Sequence, residues 1–210
     1  MATPKAYGLT GGVATGKSTV GKMFAALGAK VICADQLSRK LCEVGQVGWQ
    51  KVKAAFGEAI LNPDQSLNRQ KLADLVFSNA KKRKKLEAIL HPLIMEEAQK
   101  QTRTYFDQGQ GLVMIEAALL IEAGYASDFH GLIVVTCRPE QQIQRLCKRQ
   151  SISKEEAEKI IQAQMPLSEK EKKATFILDN SGDLSATQAQ VQIVYDKIKP
   201  KADRVQPKWN

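Results

Sequence analysis

A glycine-rich stretch near the N-terminus constrains the fold of this chain more than any other feature. Residues 11–19 read Gly-Gly-Val-Ala-Thr-Gly-Lys-Ser-Thr and match the pattern G-x-x-x-x-G-K-[ST]. A loop of this kind wraps a polyphosphate with its amide N–H groups, and large side chains would prevent the close approach. Lys17 brings a positive charge to the outer phosphates, and the Ser18 hydroxyl is a ligand for the accompanying Mg²⁺. The predicted nucleotide-binding residues are Gly11, Gly12, Val13, Ala14, Thr15, Gly16, Lys17, Ser18 and Thr19.

The residues on either side of this phosphate loop (residues 11–19) have the pattern that such a loop requires. Residues 6–9 form a short, mostly apolar run typical of a buried strand. After the loop, apolar residues recur at helical spacing at Val20, Met23, Phe24 and Leu27, and Gly28 is a typical C-terminal stop. Strand, loop and helix therefore occur in the order expected of a phosphate-binding unit.

The composition limits the class of protein. The chain has 210 residues, 43% of them hydrophobic, which is enough to bury a core. Its formal charge of +9 favours an anionic partner without choosing among nucleotides, nucleic acids and acidic membranes. The four cysteines have no C-x-x-C spacing and are expected to be reduced thiols. Because the sequence shows no signal-peptide core or membrane-spanning run, we expect a cytoplasmic protein with no membrane partner.

Further short apolar runs predict an α/β fold. Residues 30–33, 112–115, 132–136 and 176–178 have strand character, and the continuous run at 112–115 is typical of a parallel sheet buried on both faces. Pro139 begins a predicted helix that runs to about Gln150, and residues 184–198 form a last amphipathic helix. With residues 6–9, this predicts a five-stranded parallel sheet flanked by helices.

Two acidic residues follow predicted strands. Asp35 follows residues 30–33 after Ala34, where the carboxyl end of a strand would let it meet an acceptor hydroxyl. Asp35 could also serve as the N-cap of a helix over residues 36–41; the two roles are compatible, and the catalytic one is favoured because the strand end and the phosphate loop converge. Glu116 ends another strand, where it could hold magnesium-bound water or act as a capping acid.

From residue 36 to residue 111 the pattern changes to helices and turns, which indicates a helical insertion that binds a substrate. Asn68 is a predicted N-cap, and a helix over residues 82–90 is predicted to end before His91-Pro92. His91 could contact the substrate or simply mark a helix boundary. The basic run at residues 81–85 could be a solvated helix face or a contact for an acidic ligand.

The segment after the fourth strand is rich in charge. Arg145 and Arg149 are four residues apart on one helix face, and guanidinium groups suit phosphate binding. Ser153 and Glu156 form a predicted capping box, and Pro166 breaks the helix that follows. We expect residues 149–174 to form a mobile lid over the phosphates.

Several separate stretches, in the right order, resemble the dephospho-coenzyme A kinase family, and the resemblance extends to about Ile198. The stretches are residues 8–20 (GLTGGVATGKSTV), 31–35 (VICAD), 90–92 (LHP), 119–122 (LLIE), 164–167 (QMPL) and 177–182 (ILDNSG), with Arg145 and Arg149. The resemblance implies a P-loop kinase with a nucleotide-binding core (residues 1–36, 112–148 and 175–200), a helical coenzyme-binding domain (37–111), a lid (149–174) and a flexible tail (201–210). It also implies ATP-dependent phosphorylation of the ribose 3′-hydroxyl of dephospho-coenzyme A, with ATP and Mg²⁺ at the site.

The resemblance assigns roles residue by residue. Asp35 matches the catalytic aspartate of the family, and Lys17, Ser18 and Thr19 match its contacts to ATP and Mg²⁺. Arg145 and Arg149 match arginines at the base of the lid, and Asn180 lies where the family contacts the nucleotide base. His91 lies in the LHP stretch as a candidate substrate contact. This chain departs from the family in having Cys33 where most members have an aspartate, Ala118 for a usual proline, and Ala14 where glycine is frequent.

Other functions fit the sequence less well. Another P-loop kinase, acting on a nucleoside, a nucleoside monophosphate or shikimate, is the nearest alternative, but the helical insertion and the LHP stretch argue against it. A GTPase is poorly supported because no N-K-x-D motif occurs. A nucleic-acid-binding protein could use residues 81–85, but aromatic residues are not interleaved with those charges. We therefore expect small-molecule substrates and no nucleic-acid partner, and the oligomeric state stays open.

Overall fold

The computed structural model describes residues 5–77 and 79–200, which divide into two compact units. The first unit contains the described residues up to Ile32 and from Thr102 onward, and the second contains Cys33–Gln101. In chain order the elements are β1 (Lys5–Gly11), α1 (Lys17–Ala26), β2 (Lys30–Cys33), α2 (Ala34–Leu41), α3 (Val47–Phe56), α4 (Arg69–Phe77), α5 (Ala80–Asp107), β3 (Leu112–Glu116), β4 (Leu132–Thr136), α6 (Pro139–Gln150), α7 (Lys154–Gln162), α8 (Leu167–Glu171), β5 (Phe176–Asp179) and α9 (Leu184–Ile198).

The strands of the described chain form a five-stranded parallel sheet in the order β2-β3-β1-β4-β5. The central strand β1 pairs with both β3 and β4, so that Gly8 lies opposite Ile115 on one side and Leu132 on the other. Parallel strands end at the same edge of a sheet, which brings the ends of β1, β3, β4 and β5 together there. The predicted α/β fold with a five-stranded parallel sheet is therefore confirmed.

The core of the first unit joins this sheet to the helices α1 and α9. Leu9, Met114 and Ile133 from the strands are buried in one cluster with Phe24 of α1 and Val191 of α9. The helical spacing of apolar residues in α1 arises because that face of the helix is buried. The packing holds the first turn of α1 at the end of β1, which is where the phosphate loop lies.

The second unit has its own hydrophobic core. Val52, Ile60, Leu67 and Leu72 are buried together. Asn68 caps α4 as predicted, because its Oδ1 accepts from the Lys71 N–H at 2.9 Å. A separate core of this kind allows the unit to hold its shape through its own contacts.

Some local predictions are confirmed and others are wrong. The capping box of Ser153 and Glu156 is present at the start of α7, and α6 begins at Pro139. The predicted helix end before Pro92 is wrong, because α5 continues through Pro92 to Asp107. Proline cannot donate a backbone hydrogen bond, but the remaining bonds of a 28-residue helix are enough to continue it. The N-cap role of Asp35 is also wrong, since Cys33 is the N-cap of α2 and Asp35 lies in the first turn.

The remaining predictions about organisation have different outcomes. The predicted boundaries of the core, the helical domain and the lid stay predictions. The flexible tail predicted for residues 201–210 lies outside the described residues. Within the described ranges, none of the helices has the length and apolar character needed to cross a membrane.

Candidate active site

The phosphate loop has a backbone that only glycine allows at two positions. Gly11 and Gly16 have φ angles of 147° and 98°, values that residues with a side chain rarely adopt. A Cβ at position 11 would lie 2.2 Å from the Val135 carbonyl oxygen, and one at position 16 would lie 2.0 Å from Asn180 Nδ2. The neighbouring strand and the Asn180 side chain therefore both require glycine in the loop.

Lys17 lies at the first turn of α1 with its ammonium group over the loop. Its Nζ donates to the Gly12 carbonyl at 2.8 Å and to the Gly11 carbonyl at 3.3 Å. Gly16, Lys17, Ser18 and Thr19 all line one pocket, so the positive end of the α1 dipole faces that pocket. This is the arrangement that binds phosphate oxygens.

Two arginines of α6 line the same pocket, as the sequence predicts. The pocket has a volume of about 190 Å³, and its lining residues are Ala14, Gly16, Lys17, Ser18, Thr19, Arg145 and Arg149. Arg145 Nη2 donates to the Asn180 carbonyl at 2.9 Å. Among the described residues, Arg145 Nη1 is buried without a hydrogen-bond partner, which is costly unless an anion accepts from it. The pocket is therefore a cationic site suited to phosphates.

Cys137 lies directly after β4 beside this arginine. Burial raises the pKa of the Cys137 thiol, and the nearby Arg145 guanidinium opposes that rise. The net shift is upward, so the thiol stays protonated at neutral pH and adds no negative charge next to the phosphate pocket.

Ser18 and Glu116 meet at the end of β3. The Ser18 hydroxyl donates to Glu116 Oε1 at 2.6 Å, and Glu116 is only 8% exposed. Hydroxyl and carboxylate oxygens are the ligands that Mg²⁺ prefers. The Glu116 carboxylate therefore lies next to the predicted metal ligand Ser18. The two roles that the sequence left open for Glu116, holding magnesium-bound water and acting as a capping acid, stay predictions. In the parts of the chain that the structure describes, no cluster of three or more His, Cys, Asp or Glu residues suits a metal ion.

Asn180 holds the phosphate loop through a side-chain hydrogen bond. Its Nδ2 donates to the Thr15 carbonyl at 2.8 Å, and its Oδ1 accepts from the Thr187 hydroxyl at 3.0 Å. Asn180 is 7% exposed. Both polar atoms of its side chain are thus engaged with protein groups, which makes it a brace for the phosphate loop. The contact with a nucleotide base that the resemblance implies for Asn180 stays a prediction.

Two glutamines contact the loop and were not found by sequence reasoning. Gln164 Oε1 accepts from the Val13 N–H at 2.8 Å, and Gln142 Nε2 donates to the Val13 carbonyl at 2.8 Å. Gln142 precedes Arg145 and Arg149 by three and seven residues on α6, so the shared helix face could have indicated it. Gln164 lies outside the helices. It begins the QMPL stretch (residues 164–167) that contributes to the family resemblance, but the resemblance assigned it no role.

An ion pair with a fully buried lysine holds α8, and the sequence did not predict it either. Lys170 is fully buried, and its Nζ donates to Glu122 Oε1 at 2.6 Å and to the Ala118 carbonyl at 2.7 Å. Glu122 Oε1 also accepts from the Met165 N–H at 3.1 Å. These contacts attach the segment around α8 to the loop that follows β3.

The other predicted site residues belong to the second unit. Asp35 is exposed in the first turn of α2, and His91 is half-buried within α5. Lys81, Lys82, Lys84 and Lys85 are exposed at the start of α5. That Asp35 and His91 act together with the phosphate loop stays a prediction.

Known proteins resemble this chain over most of its length. The family model described as dephospho-CoA kinase matches residues 6–186. A dephospho-CoA kinase of Lactobacillus johnsonii is 40% identical over 191 residues, which cover 91% of this chain and 96% of the relative. A solved structure from Thermus thermophilus is 31% identical with a TM-score of 0.80 and covers 94% of this chain and 99% of its own. A dephospho-CoA kinase structure from Campylobacter jejuni is 26% identical with a TM-score of 0.60 over 93% of this chain and 98% of its own.

Proposed function

The chain belongs to the dephospho-CoA kinase family, and from this premise we propose how its residues divide the work of the reaction. The reaction is the ATP-dependent phosphorylation of dephospho-CoA to give CoA. The observation that supports our assignment most directly is the cationic pocket in which Lys17, the N-terminus of α1, Arg145 and Arg149 converge. Phosphoryl transfer depends mainly on positioning and on neutralising charge, and this pocket provides both.

The pocket binds the triphosphate of ATP. Lys17 and the amides at the start of α1 hold the outer phosphates, and Arg145 and Arg149, which line the same pocket, neutralise further charge. The buried Nη1 of Arg145 gains an acceptor when a phosphate oxygen arrives. Donors that are already oriented cost little reorganisation as negative charge develops during the transfer.

Ser18 and Glu116 provide the place for Mg²⁺. Their oxygen atoms are hard ligands, and they adjoin the phosphate pocket through Ser18. When bound, the ion neutralises charge on the transferred phosphoryl group. The Glu116 carboxylate would hold the ion together with the Ser18 hydroxyl.

Asp35 acts on the acceptor. It is exposed and follows the carboxyl end of β2, the edge at which ligands bind in open α/β sheets. The carboxylate accepts the proton of the ribose 3′-hydroxyl as that oxygen forms a bond to the γ-phosphorus and the bond from phosphorus to ADP breaks. His91 and the helical second unit contact the acceptor.

The cytoplasmic location expected from the sequence stays a prediction.

The reaction is tested by measuring ADP release from ATP and Mg²⁺ with dephospho-CoA, adenosine, AMP or shikimate as the acceptor. We expect stimulation by dephospho-CoA alone. Lys17→Met is expected to lower turnover at least about 100-fold, since a charge at the transferred group is lost. Lys22→Met is the matched control, because Lys22 lies on the same helix but is exposed. Stimulation by a different acceptor, or equal loss in both variants, would contradict the assignment.

A further inference from the structure

One residue of the phosphate loop has both of its backbone polar atoms held by side chains from distant parts of the chain. The Val13 N–H donates to Gln164, and the Val13 carbonyl accepts from Gln142, each at 2.8 Å. Gln142 is in α6 and is 4% exposed, whereas Gln164 lies between α7 and α8. A backbone N–H only donates and a carbonyl only accepts, so the two glutamine amides must present opposite ends to Val13.

The Gly12 position leaves the space that this contact needs. A Cβ at residue 12 would lie 2.5 Å from Gln142 Nε2 and 3.3 Å from Leu167 Cδ2. Side-chain atoms do not approach that closely, so a residue larger than glycine would push the Gln142 amide off the Val13 carbonyl. The absence of a side chain at Gly12 therefore leaves room for the Gln142 amide, in addition to any role in binding a ligand.

Two successive peptide planes of the loop are fixed as a result. In the plane from Gly12 to Val13, the carbonyl accepts from Lys17 Nζ at 2.8 Å and from the Thr15 hydroxyl at 3.0 Å. The N–H of that same plane meets Gln164 at its other end. A plane held at both ends cannot rotate without losing hydrogen bonds.

In the next plane, from Val13 to Ala14, Gln142 holds the carbonyl. The C=O and N–H of a trans peptide point in opposite directions, so the Ala14 N–H points away from Gln142. Ala14 lines the phosphate pocket and has a φ of 60°, a left-handed backbone that is uncommon for alanine. The glutamine contact thus selects the direction in which this unusual peptide presents its N–H.

We propose that Gln142 and Gln164 are positioning residues for ATP, which orient the peptides on either side of Val13 so that the loop amides meet the phosphates. This inference rests on the proposed function of the pocket. Neither glutamine touches the reacting atoms; each acts through the Val13 backbone. Gln164 is itself held in place, because the next residue, Met165, donates its N–H to Glu122.

Gln164 accepts a hydrogen bond from Val13, whereas Gln142 donates one to it. The same change, from glutamine to glutamate, therefore has different effects at the two positions. Gln164→Glu keeps an oxygen that accepts from the Val13 N–H. Gln142→Glu replaces the donor by a carboxylate oxygen that faces the Val13 carbonyl. Both variants have the same size and add the same charge next to the same residue. We expect ATP affinity, measured by equilibrium dialysis, to fall less than about 5-fold for Gln164→Glu and more than about 30-fold for Gln142→Glu.

Methionine variants remove hydrogen bonding without adding charge. Gln142→Met and Gln164→Met are each expected to weaken ATP binding about 3- to 12-fold and to raise the KM for ATP, while the KM for dephospho-CoA stays unchanged. Gln164→Met is the safer variant for folding, because Gln164 is only half-buried. Thermal unfolding confirms that each variant is folded.

The outcomes separate this inference from the proposed function. Equal losses of ATP affinity in the two glutamate variants, or unchanged ATP affinity in both methionine variants, would overturn the positioning role. Wild-type protein that binds ATP but shows no ADP release with dephospho-CoA would overturn the proposed residue roles, and the dialysis results would still decide the role of the glutamines.

Discussion

At the scale of single residues, the spacing of the glycines, Lys17 and Ser18 was readable from the sequence because the whole pattern lies within nine residues. The contacts of the glutamines with Val13 were not predicted. Gln142 and Gln164 are separated from Val13 by 129 and 151 residues, and a local pattern does not show which backbone groups such distant side chains contact. Asp35 became a candidate because a strand end precedes it. Its catalytic role stays a prediction, and the alternative N-cap role is wrong because Asp35 lies in the first turn of α2.

Asp35→Asn tests the assigned catalytic carboxylate. The asparagine amide has the same shape but cannot take up the proton of the ribose 3′-hydroxyl. We therefore expect turnover to fall about 100-fold or more, while ATP affinity stays close to that of the wild type. Steady-state kinetics with ATP and dephospho-CoA measure this effect. A turnover within a factor of two of the wild type would rule out the role.

Gly16→Ala tests the close contact between the loop and Asn180. Alanine at a left-handed φ costs about 1 kcal/mol at any position, and at residue 16 its Cβ would also lie 2.0 Å from Asn180 Nδ2. We expect a loss of ATP affinity of at least about 10-fold, because the amide brace must move. Gly45→Ala is the matched control, since Gly45 has a φ of 85° and nothing within 4 Å of its Cβ. Similar losses in the two variants would contradict this explanation.

At the scale of elements, strands and caps were predicted well because their signals are local, as with the box at Ser153 and the N1 proline of α6. The failure at Pro92 has a physical reason. A proline removes one helix hydrogen bond, and a long helix with tertiary contacts tolerates that loss, which a local propensity cannot anticipate.

The buried ion pair that holds α8 predicts an asymmetric response. Lys170 is 0% exposed while the Glu122 side chain is 22% exposed. Glu122→Gln leaves a buried ammonium without a counter-charge, and we expect a loss of about 3 kcal/mol in the free energy of unfolding. Lys170→Met leaves a carboxylate that can still reach water, so its loss is expected to be smaller. Urea unfolding of both single variants and of the double variant provides the measurement, and equal losses in the single variants would contradict the expectation.

The N-cap of α9 predicts a pH dependence of stability. Hydrogen bonds from the Ala186 N–H and the Ser185 hydroxyl hold the pKa of Asp183 below its usual value. Because the folded pKa lies below the unfolded one, the carboxylate stabilises the fold above the unfolded pKa of about 3.9, and the contribution is lost as the pH falls through the folded value.

We therefore expect Asp183→Ala to lower the Tm by about 2–4 °C at pH 7 and by progressively less below pH 4. Asp183→Asn keeps a capping oxygen and does not titrate, so it separates the hydrogen bond from the charge. A Tm difference between wild type and Asp183→Ala that is the same at pH 7 and pH 3 would contradict the assigned titration.

At the scale of the whole molecule, the five-stranded parallel sheet was predictable because continuous apolar runs are a strong signal of buried strands. The second unit begins at Cys33, close to the point after β2 where the sequence changes to a helical pattern, while the predicted domain boundaries stay predictions. Which residues of the second unit act on the acceptor was less readable, because burial and side-chain direction within a helical unit depend on tertiary packing.

Ligand binding is expected to stabilise the folded chain. ADP at 100 times its Kd adds about 2.7 kcal/mol, which corresponds to a Tm rise of about 5–11 °C for a chain of this size. If Ser18 holds Mg²⁺, adding a chelator lowers that rise in the wild type but not in Ser18→Ala. Differential scanning fluorimetry measures both. A chelator effect of equal size in the two proteins would remove Ser18 from the metal site.

The central position of β1 has a consequence for synthesis on the ribosome. The strand that carries the phosphate loop is made first, yet Lys5 pairs with Leu112 and Gly8 with Leu132, and the brace on Gly16 comes from Asn180. The helical segment between β2 and β3 can form through local contacts before β3 and β4, the strands that pair with β1, have been synthesised. Nucleotide binding is therefore acquired late, after nearly the whole chain has emerged, and a nascent chain that retains ATP has completed its sheet.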